Sequence, residues 1–342
     1  MKRTKLTRSQ TWVFQNKLYV QSVGTAVGPK EAEGPLGKYF DKTHTDLYCM
    51  QDNWELAERH LMSQSIEACL AKANKTSKDI DLFLAGDLLN QNITANYVAR
   101  EQQIPFLCLF GACSTSMETI AVGSALIDGG FANTILAATS SHNCTAERQF
   151  RNPTEYGGQK PDTATFTVTG AGAIFVSKEK SPIRITSATI GKVVDYGVKN
   201  PLDMGSAMAP AAADTISQHL KDLNRTPEDY DLIVTGDLST VGSPITRQLL
   251  LEENIDISSV HNDCGLMIFS PEQDVFAGGS GCACSAVVTF AYLLNHLKEK
   301  KYKRILVVAT GALLSPIMIQ QKETIPTIAH GVVFESVQEG EY

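Results

Sequence analysis

Cys113 is the residue of this chain best placed for chemistry. It stands in Gly111-Ala112-Cys113-Ser114-Thr115-Ser116, directly after the apolar run Pro105–Phe110. Beyond it Met117, Ile120, Ala121, Ser124 and Ala125 recur at helical spacing, and Gly129-Gly130 ends the pattern. The spacing predicts a buried strand, a tight turn and a helix, with Cys113 at the helix N-terminus. Free N–H groups and the positive end of the helix dipole favour a thiolate there. A buried, inert thiol is an equally open reading of the residue taken alone. The other seven cysteines are Cys49, Cys69, Cys108, Cys144, Cys264, Cys282 and Cys284. Most lie in or beside apolar stretches with no secretory leader before them, so reduced thiols in a cytosol-like compartment are expected. Cys282-Ala-Cys284 alone is too sparse for zinc, which wants four ligands, and no metal site is expected.

Other polar residues could converge on Cys113. His142 and Asn143 follow the strand expected near Thr134–Thr139, and His330 lies in the turn expected before a last strand, Gly331–Glu335. Arg148, Arg151 and Lys160 fall in the long insert Asn143–Thr169. Gly86-Asp87 closes the apolar run Leu82–Ala85, at the carboxyl end of a strand, where open α/β sheets hold ligands. Asp87 is expected to cap the helix beginning near Asn90–Thr94; the alternative is a bridging Ca²⁺. His44, His60, His219, His261 and His296 sit in no motif. Gly24 to Glu31 is not a phosphate loop, because Pro29 interrupts it and no Ser or Thr follows Lys30.

These residues are carried by a chain that repeats itself. Leu70–Leu88 and Leu220–Leu238 match at nine of 19 positions at a constant offset of 150. Ala112-Cys113-Ser114 and Thr134–Thr139 match Ala283-Cys284-Ser285 and Ile305–Thr310 at an offset of 171. Duplication of one β/α unit is the economical explanation. Glu55–Lys72 reads as an amphipathic helix stopped by Asn74, and Leu82–Ala85 as a strand covered on both faces. The expected architecture is α/β, two pseudo-twofold-related βαβαβ-type halves in an αβαβα layering. The halves are residues 1–192, with the cysteine site, and 193–342, together one compact unit. Cys113 and Cys284 are pseudo-twofold mates.

Strand, Ala-Cys-Ser-Thr-Ser-Met and small-residue helix resemble the nucleophile segment of thiolases and ketoacyl-ACP synthases, over nearly the whole chain. Gly24–Gly37, Ala85–Arg100, Phe110–Thr119, Thr139–Thr165 and Lys322–Glu335 resemble, more closely still, the stage V sporulation protein AD family of spore-forming bacteria. That resemblance implies a thiolase-like fold and a role in binding dipicolinic acid and moving it, with calcium, across the spore inner membrane. It also implies integral membrane proteins of the same transport system as partners, a peripheral location at that membrane, and a homodimer whose seam holds Pro105–Phe110. The thiolase pattern places a histidine four residues before the mate of the nucleophile, which here is Ser280. A second partner, His or Asn, follows the first strand of the second half, which here reads Thr235-Gly-Asp-Leu-Ser239. Neither position can supply a base near neutral pH in the family's manner. The expected ligand site therefore comprises Cys113 (a vestigial nucleophile), Ser114, Thr115, Asp87, His142, Asn143, Ser280 and His330. One carboxylate would rest on the N–H groups around Cys113–Thr115 and the other on His330 or an arginine. The alternative is a cysteine-dependent acyltransferase in which His330 is the base of Cys113 and acyl-CoA the substrate. No cofactor is expected beyond Ca²⁺ accompanying the ligand.

Bulk composition agrees with a globular protein. The 342 residues are 43% hydrophobic and 20% charged, with a net charge of −7. That balance disfavours non-specific nucleic-acid binding. The longest apolar runs, Ala286–Leu294 and Ile305–Leu314, fall short of the roughly 18 residues that span a bilayer. Lys2, Arg3, Lys5 and Arg8 are read as a solvated tail.

Overall fold

The computed structural model describes residues 9–150 and 159–337. The basic N-terminal residues and Arg151 lie outside the described residues.

The first strand, β1 (Thr11–Val27), runs through the middle of the molecule. Helix α1 (Trp54–Lys72) follows, capped by Asn53, whose side chain accepts from Leu56 N–H at 2.9 Å. Then come β2 (Leu82–Gly86), α2 (Ile93–Gln102), the short β3 (Phe106–Cys108), α3 (Thr115–Gly129), β4 (Thr134–Ser141), α4 (Asn143–Phe150) and β5 (Gly170–Ser177). The later elements are β6 (Ile183–Ile190), α5 (Met204–Leu223), β7 (Leu232–Thr235), α6 (Ser239–Glu252), β8 (His261–Asp263), α7 (Cys282–Val288), β9 (Arg304–Ala312) and β10 (Thr327–Ser336).

Strand order is β8-β7-β9-β10-β6-β1-β5-β4-β2-β3. It reads the same outward from the antiparallel β1–β6 pair in both directions. The outer strands on each side are parallel and the inner ones antiparallel. Helices α3 and α7 pack between the two wings of the sheet, and their Met117, Ile120, Val287 and Phe290 side belongs to one core with Ile174, Val307, Val332 and Phe334. Helices α1 and α2 cover the outside of one wing through Leu61, Met62, Ile66 and Val98. Helices α5 and α6 cover the outside of the other through Ile216, Leu220 and Leu250. Burying each such side chain contributes about 1.5–3 kcal/mol. The layering is αβαβα, the fold of the thiolases.

The residues that match at offset 150 make matching bonds. Asn74 and Asn224 both adopt the left-handed conformation after their helices, with φ of 53° and 50°. Thr76 with Asp79, and Thr226 with Asp229, both form capping boxes. Asp81 accepts from Asn133 N–H and Asp231 from Lys303 N–H, each at 2.7 Å. These bonds fix the turn entering β2 and the turn entering β7 in one geometry.

Two expectations change. The run Pro105–Phe110 is not buried: β3 is the end strand of the sheet, Leu107 is 42% exposed and Phe110 48%. Its apolar residues face outward because no strand follows it. His330 lies inside β10, paired with Ala309 and Ile190, not in a turn before it. Among the described residues, no helix is long and apolar enough to cross a membrane.

Candidate functional site

The turn before α3 is a closed hydrogen-bonded knot. Ser114 Oγ donates to Gly111 O at 2.6 Å, and Thr115 Oγ1 donates to Ala112 O at 2.7 Å. Cys282 Sγ, from α7, donates to the same Ala112 O at 3.0 Å. Ala112 takes a left-handed φ of 52°, which turns Cys113 out of the helix axis. Strand β9 presses on the turn from the other side. A Cβ on Gly311 would fall 2.2 Å from Gly111 O, so only glycine permits that approach.

Cys113 lies at the bottom of a pocket of about 520 Å³ that includes its open mouth. Leu88, Phe110, Phe150, Met204, Ala312 and Leu314 give it apolar walls, and Ser280, Thr167 and Glu147 contribute polar groups. Behind the cysteine sits Asp237, wholly buried, which hydrogen-bonds the Cys113 thiol. Its Oδ1 accepts from Thr310 Oγ1 at 2.5 Å, and its Oδ2 from Ser280 Oγ and Gly281 N–H, both at 3.0 Å. Burial raises the Asp237 pKa, and these donors oppose it.

This geometry overturns the expected thiolate. Burial and the neighbouring Asp237 push the Cys113 thiol well above its ordinary value. The N–H groups that would have stabilised sulfur or a ligand carboxylate are engaged. Ser114 N–H donates to Gly111 O and Thr115 N–H to Ala112 O. Ser114 and Thr115 thus shape the turn and do not offer an anion cradle.

The structure brings Cys113 and Ser280 together and leaves the other expected residues apart. His330 is outside the pocket; its Nδ1 accepts from Gly191 N–H at 3.3 Å, and burial lowers its pKa to about 4. It is therefore not placed as a base for Cys113. His142 is fully buried and ties down a loop, its Nε2 donating to Leu47 O at 2.7 Å and its Nδ1 accepting from Cys144 N–H. Asn143 donates its backbone N–H to Thr169 Oγ1 at 3.0 Å, while its buried Nδ2 finds no partner. Asp87 accepts from Leu89 N–H at 2.8 Å and Ala95 N–H at 2.9 Å, which caps α2. Arg148 pairs with Glu55 at the surface, and Lys160 pairs with Glu147 at 2.9 Å on the pocket rim.

Asp237 and Thr310 are the site residues that sequence reasoning missed. The signal was available: Gly236-Asp237 matches Gly86-Asp87 in the repeat, and only one mate of such a pair can face Cys113. The pocket walls Phe150, Met204 and Leu314 come from segments with no motif.

Comparison with known proteins follows the geometry. Residues 8–335 match the family model described as stage V sporulation protein AD (SpoVAD). The stage V sporulation protein AD of Bacillus subtilis (strain 168) is 68% identical over 331 residues, covering 97% of this chain and 98% of that protein. Among solved structures, a cerulenin-bound OleA variant of Xanthomonas campestris is similar with a TM-score of 0.60 at 14% identity, covering 94% of this chain and 97% of the other. Human mitochondrial 3-ketoacyl-CoA thiolase, in complex with CoA, gives 0.57 at 13% identity, covering 95% and 99%. The 3-oxoacyl-[acyl-carrier-protein] synthase III of Aquifex aeolicus VF5 gives 0.55 at 15%, covering 93% and 99%. At such identities these three show the fold alone. The chain belongs to the stage V sporulation protein AD family and carries its sporulation role on a thiolase-like fold.

Proposed function

We propose that this protein binds dipicolinic acid in the Cys113 pocket and takes part in its movement, with calcium, across the spore inner membrane, without catalysing acyl transfer. One observation carries the reading: the pocket floor pairs Cys113 with a carboxylic acid, Asp237, and with Ser280, and no imidazole lines it. A condensing enzyme needs a base and an oxyanion donor beside its nucleophile. Family membership supports the sporulation role, and apolar walls of this size suit a planar aromatic ring.

The charge of the pocket bears on the form of the ligand. The charged side chain lining it is Glu147, already paired with Lys160, and Asp237 lies behind the floor. A free dianion meets like charge there, whereas a calcium chelate is neutral and leaves Ca²⁺ positions open to oxygen ligands. Titration calorimetry with dipicolinate, with and without Ca²⁺ and with benzoate as control, tests the reading. Saturable one-to-one binding that is tighter with Ca²⁺ and weakened by Met204→Glu supports it. Dipicolinate heats no greater than those of benzoate would refute it.

In this reading the protein is a homodimer held peripherally by integral membrane proteins of the same transport system. The exposed end strand β3, with Leu107 and Phe110, supports pairing between two copies. Release from membranes by high salt or by deletion of the partners tests the attachment. The acyltransferase reading keeps Cys113 but lacks His330 as its base. Intact mass after incubation with acyl-CoA tests it, through an adduct absent in Cys113→Ala.

A further inference from the structure

Behind the pocket lies a carboxyl that no part of this reading uses. Glu58, on α1, is fully buried, and Ser140 Oγ donates to its Oε1 at 2.9 Å. Thr145 Oγ1 lies 2.8 Å from Glu58 Oε2 and 3.1 Å from His142 O. A hydroxyl has one proton, and a carbonyl can only accept. If Thr145 gives its proton to His142 O, then Glu58 must donate to Thr145. All three contacts are satisfied together only when Glu58 is a neutral carboxylic acid.

The surroundings demand the same state. Asp87, also fully buried, faces Glu58 from the end of β2, and its charge acts on Glu58. Among the described residues, no cation pairs with either carboxyl. Cys282 is the other titratable group facing them, from α7, and burial keeps its thiol protonated. The His142 imidazole is held neutral by burial, its pKa lowered to about 4. Arg148 and Glu55 satisfy each other at the surface.

Glu58 thereby touches both walls of the pocket. Thr145 belongs to α4, which supplies Ala146, Glu147 and Phe150 to the lining. Asp87 precedes Leu88, another lining residue, and the loop beyond holds Gln91 and Asn92 at positive φ, 61° and 50°. We propose that the proton on Glu58 is a latch: present, it bonds α4 to α1 and lets Asp87 keep its charge against α2; lost, two buried carboxylates repel and the α4 and Leu88 walls of the Cys113 pocket loosen.

Trp54 reports the latch directly, because Arg148 of α4 stacks on its ring, 5.5 Å from the centroid. The experiment is a fluorescence pH titration in a Trp12→Phe background, which leaves Trp54 as the single tryptophan. Burial, reinforced by Asp87, raises the Glu58 pKa to about 8, so a reversible transition is expected near that pH. Glu58→Gln should hold the low-pH signal throughout. Asp87→Asn removes the repulsion and should move the midpoint to lower pH, which decides the matter even if Glu58→Gln fails to fold. A flat signal in the parent between about pH 6 and 9.5, an unchanged transition in Glu58→Gln, or an unmoved midpoint in Asp87→Asn would overturn the latch.

Discussion

Glu31 offers a quantitative test of how burial is balanced in this fold. It sits in the short helix Pro29–Ala32, fully buried, with Oε1 accepting from Thr169 N–H at 2.9 Å and Oε2 without a partner. Burial raises its pKa from 4.5 to about 7, and the Thr169 bond only partly opposes this. The folded state therefore binds this proton more tightly than the unfolded chain. The associated stability is complete below about pH 4.5 and is lost as pH rises through about 7. At about 1.4 kcal/mol for each pH unit, that interval is worth about 3 kcal/mol. Glu31→Gln keeps an acceptor for Thr169 and has no charge to bury. At pH 8 the variant should be more stable than wild type by up to about 3 kcal/mol, and at pH 4.5 nearly equal to it. Urea unfolding followed by circular dichroism at several pH values reads the difference. Glu58 and Glu118 also have raised pKa values, so the comparison with wild type isolates Glu31. A stability difference that is the same at pH 5 and pH 8 would refute the reasoning.

Three further outcomes follow from particular contacts. Asp237→Asn removes the charge that holds the Cys113 proton, so alkylation by iodoacetamide at pH 8 should quicken, about tenfold for each unit by which the thiol's pKa falls; peptide mass spectrometry showing an unchanged rate at Cys113 would contradict the pairing. Gly311→Ala forces its Cβ toward Gly111 O and should lower stability by about 3 kcal/mol, read as a fall in Tm; an unchanged Tm would mean that the turn and β9 can separate freely. Leu107→Asp places a charge on the exposed end strand and should convert a dimer to monomer in light scattering; a dimer that persists would move the seam elsewhere.

The fold was legible because its cues are local. The identities at offset 150 turn out to be a left-handed helix stop, a capping box and an aspartate receiving two backbone N–H groups. Each acts within a few residues or on one neighbouring strand, so spacing reveals it. The site was less legible because its members act across the molecule. Cys113, Asp237, Ser280 and Thr310 come from four elements spread over nearly 200 residues of chain, and only α3 packed between the two wings brings them together. The N-terminal position of Cys113 predicted a thiolate correctly from local geometry and wrongly in place, because the turn spends the N–H groups and a distant aspartate sets the charge. His330 misled for a related reason. Its sequence position suits a catalytic loop, but β10 begins at Thr327, which carries the imidazole into a strand and away from the cysteine.

The two Gly-Asp pairs show how one local element came to serve two ends. Asp87 and Asp237 both follow a buried parallel strand, and both are fully buried. After Asp87 the chain runs through Asn90–Asn92 into α2, and that detour turns the carboxylate onto Leu89 and Ala95 N–H. After Asp237 helix α6 begins at once at Ser239, and its N–H is taken by Asp263 at 2.9 Å. Relieved of capping, Asp237 is free to receive Thr310, Ser280 and Gly281 and to face Cys113. A buried carboxylate in that place holds the thiol protonated, so the same residue that completes the pocket floor also suppresses its nucleophile. Restoring a histidine at Ser280 alone would leave Asp237 beside the sulfur, and it is Asp237 that must be neutralised before Cys113 can react.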